Sequence, residues 1–237
     1  MHFSCYVTGT DTGAGKTHVS AALLHNIRRL GRRAVGMKPV ASGGRENRHG
    51  RVNDDALALI EASSFKADYA LVNPICLMDA TAPEIAARRE HREIHLSELV
   101  SAYKQLREQA DDVVVEGVGG WCAPLSRDLM QVDLVRALEL PVVLVVGMRL
   151  GCINHALLSL AALQADGMRL AGWIANAVDP ELEFAEHYFE SLHRRMPLPC
   201  LGRVAWRSPA AIAELDLGPL GLIGGPNRPE GSLLAST

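Results

Sequence analysis

A glycine-rich loop near the start of the chain reads Gly9-Thr10-Asp11-Thr12-Gly13-Ala14-Gly15-Lys16-Thr17. It follows an apolar run at residues 3–8 that predicts a strand, and it opens a segment in which apolar residues recur at helical spacing until Gly31. A phosphate-binding loop needs this context, because its backbone N–H groups and the N-terminus of the helix together face phosphate oxygens. An ordinary glycine-rich turn would not also require the Gly-Lys-Thr ending, so we predict a phosphate loop.

Two side chains at the end of this loop carry its expected chemistry. Lys16 would reach the β- and γ-phosphates of a nucleoside triphosphate, and the hydroxyl of Thr17 would bind magnesium. The spacing is unusual, because five residues instead of four separate Gly9 from Gly15, and Thr10 occupies the usual glycine position. The sequence therefore predicts a variant of the phosphate loop.

Outward from this loop, apolar strands alternate with helices. Runs of β-branched residues without polar alternation are typical of strands buried on both faces of a parallel sheet. We therefore predict an α/β fold, a P-loop NTPase-like parallel sheet with helices on both faces. The further predicted strands are residues 34–37, 113–115, 142–146 and 171–175, and the predicted helices are 17–30, one capped by Asp54 or Asp55, 97–109, 154–164 and 180–192, with a loop at 42–53.

Length and charge limit the number of domains and the kinds of partner. The 237 residues, of which 48% are hydrophobic, suit one domain with a large core. We place this domain at residues 1–206 and expect residues 207–237, which are rich in glycine and proline, to be a loosely ordered tail of the same domain. The net charge of −3 indicates no polyanion-binding surface, so we expect no nucleic-acid partner.

Several features predict a cytoplasmic protein without a membrane partner. The longest apolar run, residues 141–147, is too short to span a bilayer. The chain enters its first strand without a basic and then apolar leader. The five cysteines are widely spaced and none forms a C-x-x-C pair, which is typical of reduced thiols.

Three charged residues lie where a parallel sheet binds ligands, at strand ends or at the start of a following helix. Glu116 comes directly after residues 113–115 and is either a surface turn residue or a carboxylate that would hold magnesium directly or through water. Asp55 is either a helix cap or a second carboxylate for the same ion. Lys38 ends the second strand and is either a solvated strand end or a second cation that neutralises a moving phosphoryl group.

Read together, seven segments resemble the dethiobiotin synthetase family, the biotin-pathway enzymes that close a ureido ring. The resemblance extends from residue 3 to about residue 206 and includes the variant spacing of the phosphate loop. The segments are YVTGTDT (6–12), GKT (15–17), KPVASG (38–43), DALAL (55–59), VEGVGGW (115–121), LGCINH (150–155) and AGWIAN (171–176).

The resemblance implies an ATP-dependent cyclo-ligase that converts 7,8-diaminopelargonate, CO₂ and MgATP to dethiobiotin, ADP and phosphate. A substrate amine would capture CO₂ as a carbamate, the γ-phosphate would be transferred to that carbamate, and the second amine would then expel phosphate. Positioning and electrostatics suffice for phosphoryl transfer, so no protein nucleophile is required.

The resemblance also implies a role for each candidate site residue. Lys16 and Lys38 would be catalytic, offsetting charge on the carbamate and the moving phosphoryl group, and Thr17, Asp55 and Glu116 would hold Mg²⁺. The implied nucleotide-binding residues are Gly13, Ala14, Gly15, Lys16, Thr17, His18, Glu116, Gly117, Val118, Gly119, Asn176, Ala205 and Trp206, with Asn176 at the adenine. The implied substrate-binding residues are Thr12, Lys38, Ser42, Gly151, Cys152 and Asn154.

The segment at residues 151–154 has a second implication. It begins a predicted helix after a buried strand, so its free N–H groups suit an anion, and the only fixed anion in diaminopelargonate is its carboxylate. The resemblance implies that this segment reaches the substrate from a neighbouring subunit, which makes each active site part of a homodimer interface. Without the resemblance, the segment would be an ordinary turn with Asn154 as the helix cap.

Two positions depart from the family pattern. The family often shows Ser-Pro-His where this chain has Ala82-Pro83-Glu84, so we assign Glu84 no role. Ala205-Trp206 replaces the usual Pro-Trp near the base pocket, which bears on base selectivity.

Other classes of protein share part of the pattern. Partition-type and iron–sulfur-scaffold ATPases typically carry a second lysine early in the phosphate loop, and residues 9–14 contain none. Cobyrinate amidases need an added glutaminase domain, for which 237 residues are too few. A nucleotide-dependent switch or binding module would not need Lys38 as well as Lys16 near the phosphates.

Overall fold

The computed structural model describes residues 3–48 and 50–222. In these ranges the strands are β1 (Phe3–Gly9), β2 (Ala34–Met37), β3 (Val40–Ala41), β4 (Arg45–Asn47), β5 (Gly50–Val52), β6 (Ile75–Cys76), β7 (Asp112–Gly120), β8 (Val142–Met148), β9 (Leu170–Ala177) and β10 (Cys200–Val204). The helices in the same ranges are α1 (Lys16–Arg29), α2 (Asp54–Ala62), α3 (Tyr69–Val72), α4 (Pro83–Arg89), α5 (Leu96–Gln109), α6 (Gln131–Leu138), α7 (Cys152–Ala165) and α8 (Ala185–Arg195).

The centre of the fold is a six-stranded parallel sheet in the order β10-β9-β8-β1-β7-β2. All seven residues of β8 are buried, which explains its unbroken apolar sequence. Successive side chains of a strand point to opposite faces, so Val142 and Leu144 join one core cluster while Val143 and Val145 join the other. The predicted parallel α/β fold is confirmed.

Helices cover both faces of this sheet. The first core cluster contains apolar residues of α5, α6, α7 and α8, and the second contains those of α1 and α2. The burial of both faces places the strand ends, instead of a sheet face, at the surface of the domain. A ligand therefore meets the sheet at its carboxyl edge, where the phosphate loop lies.

Four local predictions were wrong. Asn53, not Asp54 or Asp55, caps α2, because its side chain accepts from the backbone N–H groups of Asp55 and Ala56. The predicted loop at 42–53 contains an antiparallel hairpin of β4 and β5.

The helix predicted from residue 180 begins at Ala185, after Phe184 adopts a left-handed backbone with φ of 59°. β7 continues past residue 115 to Gly120, so Glu116 lies inside the strand.

The tail predicted to be loosely ordered lies partly within the described residues. Leu215, Leu217 and Leu220 are buried in the same core cluster as α1. The Asn26 side chain on α1 donates to the carbonyl of Ala213 at 2.7 Å and accepts from the N–H of Leu215 at 3.3 Å. Residues 213–220 therefore pack on the core, and residues 223–237 lie outside the described part of the chain.

Among the described helices, none has the length and apolar character that crossing a membrane requires.

Candidate active site

The carboxyl ends of β1, β2 and β7 surround a cavity of about 810 Å³. A second cleft of about 780 Å³, beside α4 and α5, contains none of the predicted site residues. The predicted residues that line the first cavity are Thr12, Gly13, Gly15, Lys16, Thr17, Lys38, Ser42, Asp55, Glu116, Val118 and Gly119. Those that lie in the described ranges without lining it are Ala14, His18, Gly117, Gly151, Cys152, Asn154, Asn176, Ala205 and Trp206.

The phosphate loop has the backbone that its glycines were expected to allow. Gly13 and Gly15 have φ of 75° and 81°, in the left-handed region that glycine adopts without strain. Gly15 is the N-cap of α1, and no side chain in the described residues caps this helix. The first N–H groups of α1 are therefore available to an anion. A side chain at Gly15 is also excluded by space, because its Cβ would lie 2.0 Å from Asn176 Nδ2.

Lys16 is held by backbone carbonyls on two sides. Its Nζ donates to the carbonyl of Gly119 at 2.6 Å and to that of Asp11 at 3.2 Å. Burial, and after it the positive charge of Lys38, lowers the pKa of Lys16 to about 8. The ammonium group is thus fixed between the phosphate loop and the end of β7, inside the cavity.

Lys38 lies between two carboxylates. Its Nζ is 2.6 Å from Glu116 Oε1 and 3.0 Å from Asp55 Oδ2. Burial alone would lower the pKa of Lys38, but the charges and hydrogen bonds of Glu116 and Asp55 raise it above its ordinary value. Burial likewise opposes ionisation of Asp55, and Lys38 outweighs it and holds the pKa of Asp55 below its usual range. Lys38 and Asp55 are therefore both charged at neutral pH.

The oxygen atoms around Lys38 fit a magnesium ion. Thr17 Oγ1 donates to Glu116 Oε1 at 2.8 Å, which brings a hydroxyl beside the carboxylates of Glu116 and Asp55. Glu116 is wholly buried, and its Oε2 has no hydrogen-bond partner among the described residues. No group of three or more His, Cys, Asp or Glu residues in the described ranges is placed to hold a metal. Mg²⁺ prefers one or two carboxylates completed by phosphate oxygens and water, so water or the phosphates of a nucleotide would complete the coordination that these oxygens begin.

Of the residues predicted to contact the base, Asn176 lies beside the phosphate loop. Asn176, near the end of β9, is buried, and its Nδ2 donates to the carbonyl of Ala14 at 2.9 Å. Ala205 and Trp206 directly follow β10 and are exposed, with the guanidinium of Arg207 over the Trp206 ring. The sheet order places β9 and β10 side by side, so these residues lie at one end of the carboxyl edge.

The segment predicted to bind the substrate carboxylate is separate from the cavity of its own chain. Gly151 is the N-cap of α7 with φ of 92°, Cys152 is buried and Asn154 is exposed within the helix. Asn154 is therefore not the helix cap. On either side of the segment, Leu150 and Leu158 are 79% and 62% exposed.

One ion pair that joins this segment to the phosphate loop was missed from the sequence. Arg149 Nη2 lies 2.8 Å from Asp11 Oδ2, and Asp11 Oδ1 accepts from the backbone N–H of Thr12 at 2.7 Å. Arg149 immediately follows the last residue of the buried strand β8. The same rule that drew attention to charged residues at strand ends would have found it.

A parallel sheet with a phosphate loop at its carboxyl edge defines the class, a P-loop nucleotide-binding protein. The ParA family ATPase of Chlorobium tepidum shares this fold, with a TM-score of 0.54 at 11% identity and coverage of 92% of both chains. A family model described as an AAA domain matches residues 4–211.

Close relatives define the family within this class. The chain is 58% identical over 209 residues to the ATP-dependent dethiobiotin synthetase BioD of Xanthomonas campestris pv. campestris, covering 88% of this chain and 93% of that one. It is 56% identical over 199 residues to BioD of Xylella fastidiosa, covering 84% and 88%. The chain belongs to the dethiobiotin synthetase family of ATP-dependent ligases, which confirms the resemblance of the seven segments.

Proposed function

We propose that this chain joins CO₂ to 7,8-diaminopelargonate and closes the ureido ring of dethiobiotin, with MgATP converted to ADP and phosphate through a phosphorylated carbamate. The observation that carries the proposal is the convergence of Lys16, Lys38, Asp55 and Glu116, from four separate segments, on one cavity beside the phosphate loop. A protein that only bound the nucleotide would not need the second buried lysine.

Three oxygen donors would hold the magnesium ion. Thr17 supplies a hydroxyl, Glu116 supplies a carboxylate with one unpartnered oxygen, and Asp55 supplies a partly exposed carboxylate. When bound, the ion would neutralise charge on the phosphate oxygens. Glu116 is rigidly placed because it lies within β7, whereas Asp55 is on the first turn of α2 and is 44% exposed.

The two lysines would stabilise the charge that moves during phosphoryl transfer. Lys16 is restrained by the carbonyls of Asp11 and Gly119, and Lys38 by its two carboxylates. Both ammonium groups are thus oriented before the reaction, which is the condition under which such groups lower a barrier most. They would act on the carbamate and on the transferred phosphoryl group.

Ser42 and Thr12 suit contacts with the carbamate or an amine. Both line the cavity, and Ser42 Oγ is buried without a hydrogen-bond partner among the described residues. A buried hydroxyl normally finds a partner, so a polar substrate group would satisfy it. Thr12 is exposed on the phosphate loop, at the opening of the same cavity.

The nucleotide would extend from the phosphate loop along the strand ends. Its phosphates would contact residues 13–18 and the adjacent backbone of residues 116–119. Asn176 would read the adenine, because a carboxamide both donates and accepts hydrogen bonds. Ala205 and Trp206 would form the wall of the base pocket.

We further propose a homodimer in which residues 151–154 complete the site of the neighbouring subunit. Gly151, Cys152 and Asn154 do not line the cavity of their own chain, and Gly151 caps α7 without a side-chain hydrogen bond. The N–H of Cys152 donates to the carbonyl of Arg149, so the next N–H groups of the first turn would receive the carboxylate. The exposed side chains of Leu150 and Leu158 beside it are an apolar surface that a second copy would cover.

The direct test measures ADP release and dethiobiotin formation with and without diaminopelargonate and bicarbonate. We expect ADP release to depend on both, and each mole of ADP to accompany one mole of dethiobiotin. The Lys104→Ala variant, at an exposed position on α5, serves as the control and should behave like the wild type. ADP release that is the same without diaminopelargonate would contradict the proposal.

A further inference from the structure

Gln131 is a wholly buried polar residue outside the cavity, and the end of β7 is built around it. It is the first residue of α6 and has no exposed surface. Its Oε1 accepts from Tyr6 Oη at 2.6 Å and from the N–H of Val118 at 3.1 Å. Its Nε2 donates to the carbonyls of Gly120 at 2.6 Å and Trp121 at 3.2 Å. The carboxamide therefore uses all four of its hydrogen-bonding positions.

These bonds replace the ladder bonds that a bulge removes. β1 and β7 pair regularly up to Val7 and Glu116, and the next pair is Gly9 with Gly120. The intervening β7 residues, 117–119, oppose a single residue of β1 and leave the regular ladder. Backbone groups left unpaired away from water are costly, and the Gln131 side chain supplies partners for the N–H of Val118 within the bulge and for the carbonyls of Gly120 and Trp121 after it.

The backbone at this bulge faces the two lysines of the cavity. The carbonyl of Gly119 accepts from Lys16 Nζ at 2.6 Å, and the carbonyl of Gly117 accepts from Lys38 Nζ at 3.2 Å. Gly117 is packed so closely that an added Cβ would lie 2.4 Å from Gln131 Oε1. Movement of this backbone would therefore move the carbonyl partners of both ammonium groups.

We infer that Gln131 is a positioning residue for the phosphoryl-transfer site. It holds the bulge at residues 117–119 in the one conformation that presents carbonyls to Lys16 and Lys38. An apolar side chain of similar size would fill the same space, but it would leave Tyr6 Oη, the N–H of Val118 and the carbonyl of Trp121 without their present partner. The carbonyl of Gly120 would still accept from the N–H of Ala123. The inference about turnover rests on the proposed function, whereas the inference about the bulge does not.

Three variants distinguish an effect of Gln131 on the position of the catalytic groups from an effect on the stability of the protein. Gln131→Leu removes all four bonds, and Tyr6→Phe removes only the phenol and leaves the three bonds to the β7 end. The double variant Tyr6→Phe/Gln131→Leu removes both buried polar side chains, and stability should then return towards that of Tyr6→Phe because no phenol remains unpaired. In the double variant the bulge still lacks its partners, so turnover should not return.

We expect kcat to fall by between about 10-fold and 10²-fold in Gln131→Leu and in the double variant, with a smaller change in KM. The upper figure is the cost of misplacing catalytic groups by about 1 Å. Tyr6→Phe should keep kcat within about 2-fold of wild type. Melting temperatures measured on the same preparations establish which losses follow stability. Should Gln131→Leu not fold, Tyr6→Phe is compared with the double variant.

Hydrogen exchange without any ligand gives a second readout. The N–H of Val118 should exchange faster in Gln131→Leu and in the double variant, and be unchanged in Tyr6→Phe, while the N–H of Val114 in the same strand stays protected. A kcat that recovers together with stability in the double variant, or unchanged exchange at Val118, would overturn the inference. A wild-type enzyme that forms no dethiobiotin would instead overturn the proposed function, and the exchange result would still decide the role of Gln131 at the bulge.

Discussion

Replacing Lys38 tests whether its buried charge serves the reaction or only the fold. Its Nζ lies 2.6 Å from Glu116 Oε1 and 3.0 Å from Asp55 Oδ2, and its side chain is 4% exposed. If Lys38 stabilises charge that develops during phosphoryl transfer, Lys38→Ala should lower kcat by about 10²–10³, or roughly 3–4 kcal/mol. The affinity for ATP should change less than kcat.

The same substitution should also destabilise the protein. It leaves the wholly buried Glu116 without its cation, and breaking a buried ion pair costs about 3–5 kcal/mol. Magnesium should restore part of the lost stability, because the freed carboxylates of Glu116 and Asp55 then hold the ion. The melting temperature of Lys38→Ala should therefore rise more on addition of MgCl₂ than that of wild type.

The assay follows ADP release under saturating diaminopelargonate and bicarbonate, with ATP varied, on protein shown to be folded at the assay temperature. Lys104→Ala, an exposed lysine on α5, is the matched control and should change neither kcat nor the melting temperature. The double variant Lys38→Ala/Glu116→Gln removes both charges of the closest pair, so it should regain stability without regaining turnover. A Lys38→Ala enzyme that keeps its kcat and loses only ATP affinity would refute the reasoning and make Lys38 a binding residue.

Three further predictions concern the metal, the base and the dimer. Asp55→Asn and Glu116→Gln should fold and should need more Mg²⁺ for turnover; full activity of both at limiting Mg²⁺ would exclude them as ligands. ATP should be preferred, with measurable use of CTP and GTP that falls in Ala205→Pro, because proline fixes the backbone of the pocket wall; strict rejection of other triphosphates by the wild type would contradict this. Mixing inactive Lys38→Ala and Asn154→Ala chains should restore roughly a quarter of wild-type activity, since half of the dimers are mixed and each has one intact site. Tagged mixed dimers without any recovery would rule out a shared site.

Much of the fold follows from local pattern. The predicted strand, glycine loop and helix at the start of the chain lie within residues 3–30, and the structure places β1 at Phe3–Gly9 and α1 at Lys16–Arg29. The β-branched runs of β7 and β8 identified strands buried on both faces, because a strand with one face in water would carry polar residues at alternate positions. Local pattern was less successful at boundaries. The cap of α2 was wrong because aspartate and asparagine are equally suitable caps, and only the backbone geometry distinguished Asn53.

The candidate site depended on contacts between distant residues. Residue type and strand-end position selected Lys38, Asp55 and Glu116, but their pairing joins positions 78 residues apart for Lys38 and Glu116 and 99 apart for Thr17 and Glu116. No periodicity encodes such a pairing, since it arises when β7 inserts between β1 and β2.

The sequence by itself determined the class of fold, the phosphate loop and the set of charged groups, because each is a property of a short segment and its residue types. Only the tertiary structure decided that Lys38 lies between two carboxylates, that Arg149 pairs with Asp11 and that Gln131 satisfies the bulge in β7. These arrangements depend on burial and on the register of neighbouring strands, and burial determines whether a polar side chain must find a partner inside the protein.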